Sequence, residues 1–223
     1  MKVLVIAPHA DDEILGVGGT MARHIAEGNE VYVCVVTRGY MPLCPEEVAA
    51  QIREESIACH KFLGVKETIY LDLPSTKLEH VDRIELNGKI HNAIHSIEPD
   101  EVYLPHYGDM QKDHQIVADS AMVALRPKYK HIVSRVYGYE TLSETGWNVP
   151  GVVNEFIPDV YNDISNYLDA KLKAMSYYQS QLGPFPDPRS LEALEALAKF
   201  RGSTCGCKAA ESFRLIREIK VDK

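Results

Sequence analysis

Val3-Leu4-Val5-Ile6-Ala7-Pro8-His9-Ala10-Asp11-Asp12-Glu13 is the stretch that decides the fold. Its first five residues form an unbroken apolar run, the pattern of a strand buried on both faces of a parallel sheet. A polar cluster follows directly. Residues 14–27 then carry Leu15, Met21, Ala22 and Ile25 and stop at Gly28-Asn29, which predicts a helix closed by a glycine.

Working outward, residues 30–37 read as a second strand. Residues 45–63 read as a helix, acidic at its start and basic at its end, with Ile52, Ile57, Ala58 and Phe62 as its apolar stripe and Gly64 as its stop. Residues 68–73 are a third strand, 90–97 a helix and 101–104 a fourth strand. This alternation predicts an α/β fold, a Rossmann-like three-layer sandwich whose mostly parallel sheet is covered by helices on both sides. Further on, 114–125 reads as helix, 134–140 as strand and 147–158 as a looser segment. Residues 164–181 read as one long helix bearing Leu168, Leu172, Met175 and Tyr178, and a proline-rich loop at 183–188 leads into a helix at 190–200. No repeat or low-complexity linker interrupts the chain, so residues 1–223 are expected to form a single domain with a C-terminal helical elaboration.

The composition agrees with an ordinary globular protein: 223 residues, 45% hydrophobic and 25% charged, which excludes disorder, collagen and small disulfide scaffolds. Lys plus Arg number 24 against 32 Asp plus Glu, giving −8 with no run of five like charges. Nucleic acid and anionic membrane are therefore disfavoured as partners. The longest strongly apolar runs, residues 3–7 and 31–36, fall far short of the ~20 residues that cross a bilayer. The start of the chain leaves no room for a full signal-peptide core, so a cytoplasmic location is expected. Cys34, Cys44, Cys59, Cys205 and Cys207 include no Cys-x-x-Cys pair and read as buried or idle thiols, a Cys205/Cys207 metal clip being the alternative.

Ligands of open α/β sheets bind outside the carboxyl ends of the strands. Polar clusters follow two such ends: His9 to Glu13 after the first strand, and His106-Tyr107-Gly108-Asp109-Met110-Gln111-Lys112-Asp113-His114 after the fourth. Adjacent carboxylates at a buried strand tip repel each other and call for something positive between them. A divalent metal meets that need. His9 and Asp12 can converge on one ion and His114 can add a third ligand, a mixed set suited to zinc with a fourth position left for water. The plainer roles are a helix cap for Asp11 or Asp12 and a satisfied histidine for His114. The glycines of Gly16-Val17-Gly18-Gly19 do not form G-x-G-x-x-G and follow two acids that would repel phosphate, so close helix packing explains them better than a dinucleotide.

The Ala7-Pro8-His9-Ala10-Asp11-Asp12-Glu13 stretch, with Gly18-Gly19-Thr20 and the downstream Asp113-His114, resembles the signature of the PIG-L/LmbE family of zinc-dependent N-deacetylases. The resemblance runs on through Arg53-Glu54-Glu55, Tyr139-Glu140, Ser143 to Trp147, Pro188-Arg189-Ser190, Arg201-Gly202 and Ala210-Glu211-Ser212-Phe213. It implies a metallohydrolase that removes an acetyl group from an amino-sugar conjugate, often of the N-acetylglucosaminyl type. His9, Asp12 and His114 match the family's zinc ligands, and Asp11 matches its general base. The resemblance also implies a small amino-sugar partner and a homo-oligomer. A Rossmann-like sugar- or nucleotide-binding protein without hydrolysis, and a metal-dependent hydrolase of another amide, are the competing functions.

One position departs from the family pattern. Where the second motif commonly has its first histidine, this chain has Gln111, which can donate a hydrogen bond to an oxyanion but cannot serve as an acid. Gln111 as neutral donor and His106 as substitute histidine are the expected replacements, with Asp113 orienting a histidine. The resemblance places Arg53, Glu140 and Arg189 near the substrate. Trp147 is weighed as a sugar-stacking ring against ordinary packing, and the Tyr177-Tyr178 pair is expected in the core.

Overall fold

The computed structural model describes residues 1–152 and 154–220; Val153, inside the segment read as loose, lies outside them. Seven strands form one sheet: β1 (Lys2–Ala7), β2 (Glu30–Arg38), β3 (Glu67–Pro74), β4 (Glu101–Pro105), β5 (Arg135–Tyr139), β6 (Val160–Asp163) and β7 (Ala210–Glu218). Their order is β3-β2-β1-β4-β5-β7-β6. The first five run parallel, and β7 is antiparallel to both β5 and β6. Six α-helices accompany them among the described residues: α1 (Asp12–Ala26), α2 (Glu46–Leu63), α3 (Arg83–Ile97), α4 (Lys112–Ala124), α5 (Leu168–Met175) and α6 (Leu191–Cys205). None of them is long and apolar enough to cross a membrane.

The strand period of two sorts β1 between two cores. Leu4 and Ile6 pack with Ile90 of α3 and Val117 of α4, while Val3 and Val5 pack with Leu15 and Val17 of α1, Cys59 of α2 and Met175 of α5. Both faces of β1 are thereby dry, as its continuous apolar run requires, and the three-layer α/β architecture follows.

Three local readings need correction. The buried face of α2 is Ala49, Ser56, Cys59, His60 and Leu63, whereas Ile57 and Phe62 are exposed. The long helix expected over 164–181 is only α5: β6 occupies the chain up to Asp163, whose carboxylate accepts from the Ser165 N–H at 2.8 Å. Beyond Met175 the backbone tightens into Tyr178 N–H to Met175 O and Gln181 N–H to Tyr178 O turns. Finally, the C-terminal elaboration is not helical alone, because it adds the antiparallel pair β6 and β7.

The glycines of α1 are packing residues. A Cβ on Gly16 would come within 2.3 Å of the Tyr139 ring, and one on Gly19 within 2.7 Å of Ile164. On the same helix the Gly19 and Thr20 N–H groups donate to the buried Glu211 carboxylate at 2.9 and 2.7 Å. Lys171 of α5 closes this join, donating to Leu15 O at 2.8 Å and to Glu211 Oε1 at 2.5 Å. The helix that begins with Asp12 is thus clamped to β7 and α5.

Candidate metal centre

β1 and β4 are neighbours in the sheet, and the chain leaves them in opposite directions: β2 and β3 extend one side, β5, β7 and β6 the other. Such a switch point opens a crevice at the carboxyl ends of the strands. The turn after β1 brings His9, Asp11 and Asp12 to it, and the loop after β4 brings Asp109, Gln111, Asp113 and His114.

His9 Nδ1 and His114 Nε2 each lie 3.2 Å from Asp12 Oδ2. The His9 backbone N–H donates to the same oxygen at 2.8 Å. One ligand atom from each of the three residues lies within 4.8 Å of the other two. Asp12 Oδ1 and His114 Nε2 are buried with no hydrogen-bond partner among the described residues. Buried polar atoms are seldom left so, and a cation shared by His9, Asp12 and His114 is what this donor set lacks. Two imidazoles and one carboxylate, held by the turn after β1 and the first turns of α1 and α4, fit zinc.

The outer face of each imidazole is fixed by a carboxylate. His114 Nδ1–H donates to Asp109 Oδ2 at 2.8 Å, and Thr145 Oγ1 donates to the other Asp109 oxygen at 2.5 Å. His9 Nε2–H donates to Asp113 Oδ2 at 3.1 Å, an oxygen that also accepts the Thr76 N–H at 2.6 Å. These bonds select the tautomers that leave His9 Nδ1 and His114 Nε2 as lone-pair donors toward Asp12, the arrangement by which outer carboxylates orient metal-bound histidines.

The electrostatics show the same demand for positive charge. Burial lowers the pKa of His9, but hydrogen bonds to Asp113 and Asp12 outweigh it and hold it at about 9. For His114 the Asp12 and Asp109 carboxylates likewise overcome burial and hold it at about 10. Asp12 is driven well below the usual carboxylate range, His114 and His9 overcoming its burial. Asp11 moves the other way, to about 7, through burial and the neighbouring Asp12 charge, with Arg189 opposing.

Asp11 has φ 117° and ψ −28°, a conformation that costs a non-glycine residue about 1–3 kcal/mol. Three groups hold it there. Its N–H donates to Glu13 Oε2 at 3.1 Å, its carbonyl accepts the Ile14 and Leu15 N–H groups at 2.9 Å, and its Oδ2 accepts from Arg189 Nε at 3.1 Å. Glu13 in turn accepts from Tyr178 OH at 2.5 Å and His60 Nε2–H at 3.0 Å. A cavity of about 250 Å³ opens beside His9 and Asp11, with Arg53, Gln111 and Arg189 in its walls. The Gln111 amide lies 3.2 Å from His9 Nε2. Arg53 stacks 3.6 Å over the Tyr70 ring and pairs with Asp72.

Two residues expected at the site stand elsewhere. His106 turns away, its Nε2–H donating to Asn154 O at 2.8 Å and its ring set edge-on to Phe156. Glu140 is taken by Arg201, at 2.8 and 2.6 Å, and by Ser212 Oγ at 2.7 Å. Both line a separate cavity of about 370 Å³. Trp147 is exposed and donates to Leu142 O at 3.1 Å. The reading also missed Glu13, His60 and Tyr178 as supports of Asp11, and Glu144, 3.8 Å from Arg189 with its pKa raised by burial. Glu13 sits inside the quoted motif and could have been found; the others are distant in sequence and carry no local signal.

Solved structures share this arrangement of strands. The chain is 31% identical over 183 residues to Uncharacterized deacetylase YaiS of Escherichia coli, covering 80% of this chain and 90% of that one. It is 28% identical to the diacetylchitobiose deacetylase of Thermococcus kodakarensis, covering 98% of this chain and 84% of that one. The N,N'-diacetylchitobiose deacetylase structure from Pyrococcus horikoshii superposes with a TM-score of 0.76 at 26% identity, covering 96% of this chain and 83% of that one. The family profile described as "PIG-L: GlcNAc-PI de-N-acetylase" matches residues 4–125, the span from β1 to the end of α4 that carries every residue of the cluster. On that match, with both motifs at one switch point, the chain belongs to the PIG-L family.

Proposed function

We propose that the protein is a zinc-dependent N-deacetylase that hydrolyses the acetamide of a small N-acetylglucosaminyl-type conjugate. The observation that carries this reading is the convergence of His9 Nδ1, Asp12 Oδ2 and His114 Nε2 around two unpartnered buried atoms, beside a cavity. The names of the relatives, deacetylases of diacetylchitobiose among them, support the substrate class. Zinc bound by these three residues supplies Lewis acidity that polarises the amide carbonyl and acidifies water.

The remaining roles belong to the chain. Asp11 takes the proton of the attacking water and returns it to the departing amine. Arg189 holds the Asp11 carboxyl in place and offsets the repulsion from Asp12. Gln111, in the cavity wall, donates a neutral hydrogen bond to the developing oxyanion, a contact whose loss costs roughly 10²–10³ in turnover. His106 drops out of the mechanism because its Nε2–H is committed to Asn154. Asp113 and Asp109 keep the histidine tautomers fixed.

The test is zinc content together with acetate release from N-acetylglucosamine, its glycosides and diacetylchitobiose. One zinc per chain is expected at this centre, and His114→Ala should lose that one. Asp11→Asn should keep the zinc and lose nearly all acetate release. A protein that takes up no zinc, or an Asp11→Asn variant at full rate, would overturn the reading.

A further inference from the structure

The Cys205-Gly206-Cys207 turn has no part in the reaction above. Side chains two residues apart on a helix point about 200° apart, so a Cys-x-Cys pair inside α6 would hold its sulfurs on opposite faces. Here α6 ends at Cys205, and Gly206 takes a left-handed φ of 82° that turns the chain back. The Gly206 and Cys207 N–H groups both donate to Gly202 O, the latter at 3.0 Å. The returning segment lies so close that a Cβ on Gly202 would stand 2.7 Å from Cys207 O and from Ala209 N. The result is two thiol sulfurs 3.4 Å apart, with Cys205 exposed and Cys207 half-buried.

We propose that Cys205 and Cys207 form a second metal site, a two-thiolate clip for one thiophilic d¹⁰ cation such as Zn²⁺, Cd²⁺ or Cu⁺. At metal–sulfur bonds of about 2.3 Å, sulfurs separated by 3.4 Å subtend roughly 95° at a shared ion, a small opening away from the tetrahedral angle. The site lies at a helix C-terminus, where the backbone dipole favours a cation, and the last turn of α6 holds no basic residue. Asp163 supplies negative charge beside Cys207, and Lys208, which follows in the chain, is exposed. Burial and the Cys205 contact push the Cys207 thiol up to about 11. Cys207 thus rests as a thiol, unsuited to rapid disulfide exchange. Binding breaks two S–H bonds, forms two metal–sulfur bonds and releases two protons to solvent, with no change of oxidation state.

The test is cadmium titration of the fully reduced protein with one equivalent of zinc already at the His9, Asp12 and His114 centre, followed by the ultraviolet sulfur-to-cadmium charge-transfer band and by thiol counting with a chromogenic disulfide. A band that saturates with one equivalent, together with two fewer reactive thiols, is expected. Cys205→Ser and Cys207→Ser should each abolish the band, while His114→Ala keeps it. Alkylation and peptide mapping of the cadmium-loaded wild type should find Cys205 and Cys207 protected, a measurement that needs no variant to fold. No band in the wild type, or a band that survives either cysteine substitution, overturns the site, as does protection confined to other cysteines.

Discussion

Glu13→Gln is the change that isolates how the strained Asp11 is held. The Glu13 side chain is fully buried, and one of its oxygens accepts the Asp11 N–H at 3.1 Å while the other accepts Tyr178 OH at 2.5 Å and His60 Nε2–H at 3.0 Å. Glutamine keeps the shape but offers only one acceptor oxygen. If that oxygen faces Tyr178 and His60, the new NH₂ faces the Asp11 N–H, and two donors oppose each other in a dry site. An unsatisfied buried donor costs about 1–3 kcal/mol, and a lost bond to a charged group about 1.5–3 kcal/mol. The opposite orientation restores Asp11 but turns donors toward Tyr178 and His60, and only rotation of the hydroxyl and a change of tautomer relieve it. The expected destabilisation is therefore about 2–4 kcal/mol in urea unfolding. The Glu13 carboxylate bonds to Asp11, His60 and Tyr178 and not to the side chains of His9, Asp12 or His114, so zinc stoichiometry is expected to stay at the wild-type value. Turnover should fall by roughly 10², the effect of about 1 Å of misplacement on a reacting group. A variant within about 0.5 kcal/mol of wild type, the ordinary range for inert surface changes, would refute the argument that Glu13 holds Asp11 in place.

Asp109→Asn removes the carboxylate behind His114 and is expected to weaken zinc about 10–100-fold in competition with a chelating dye, with the fold intact. Lys171→Met strands the buried Glu211 carboxylate between α1 and β7 and should cost about 3–5 kcal/mol in urea unfolding, part of it recovered when Glu211→Gln is added. His24 provides a pH dependence remote from the metal centre. Burial, the leading cause, lowers its pKa below the ordinary 6.5, while Glu27 and Glu211 oppose and Arg23 and Arg135 reinforce the shift. Below about 6.5 the unfolded chain gains a proton that the native imidazole refuses, so stability is lost as pH falls toward the native pKa. Glu101, 3.9 Å away with its pKa raised by burial, acts in the opposite sense. His24→Gln should flatten the fall of the urea midpoint between pH 7 and pH 5; a slope equal to wild type would show that His24 does not cause it.

What the sequence revealed depended on how near in the chain the interacting groups lie. Val3 to Ala7 are buried on both sides and read as a strand without ambiguity, and the ligands directly follow two strand tips, so fold class and cluster could be read together. β7 was hidden because its buried residues include Glu211 and Ser212, polar side chains satisfied by Lys171, by two helix amides and by Glu140. Such a strand carries no apolar alternation, since the partners of its polar side chains come from α1, α5 and the residue that follows β5. The helix expected over 164–181 failed for a related reason. Leu168, Leu172, Met175 and Tyr178 keep a three-to-four-residue spacing, and the tight turns beyond Met175 preserve it while the helix ends. Those turns carry the Tyr178 hydroxyl to Glu13.

His106 and Glu140, which stand away from the crevice, and Arg189, which stands in its wall, have one thing in common. His106 was expected at the site from its place in the loop, and Glu140 and Arg189 from the family resemblance, but the partner that commits each side chain lies far away in sequence: Asn154 for His106, Arg201 for Glu140, Asp11 for Arg189. The charge pattern explains why these commitments fall as they do. Asp11, Asp12, Asp109 and Asp113 crowd one crevice, and histidine protons and the Arg189 guanidinium bring positive charge to it. Arg189 is drawn to Asp11 because that carboxyl accepts nothing from the two histidines. A cation held by His9, Asp12 and His114 would take the place of those protons and leave the Arg189 contact with Asp11 intact, since none of the three is hydrogen-bonded to Arg189. On the proposed function, the acidic excess of the composition has a local purpose: it builds a site suited to a cation, and it keeps the Asp11 carboxyl apart from that cation's ligand set, where it would handle a proton.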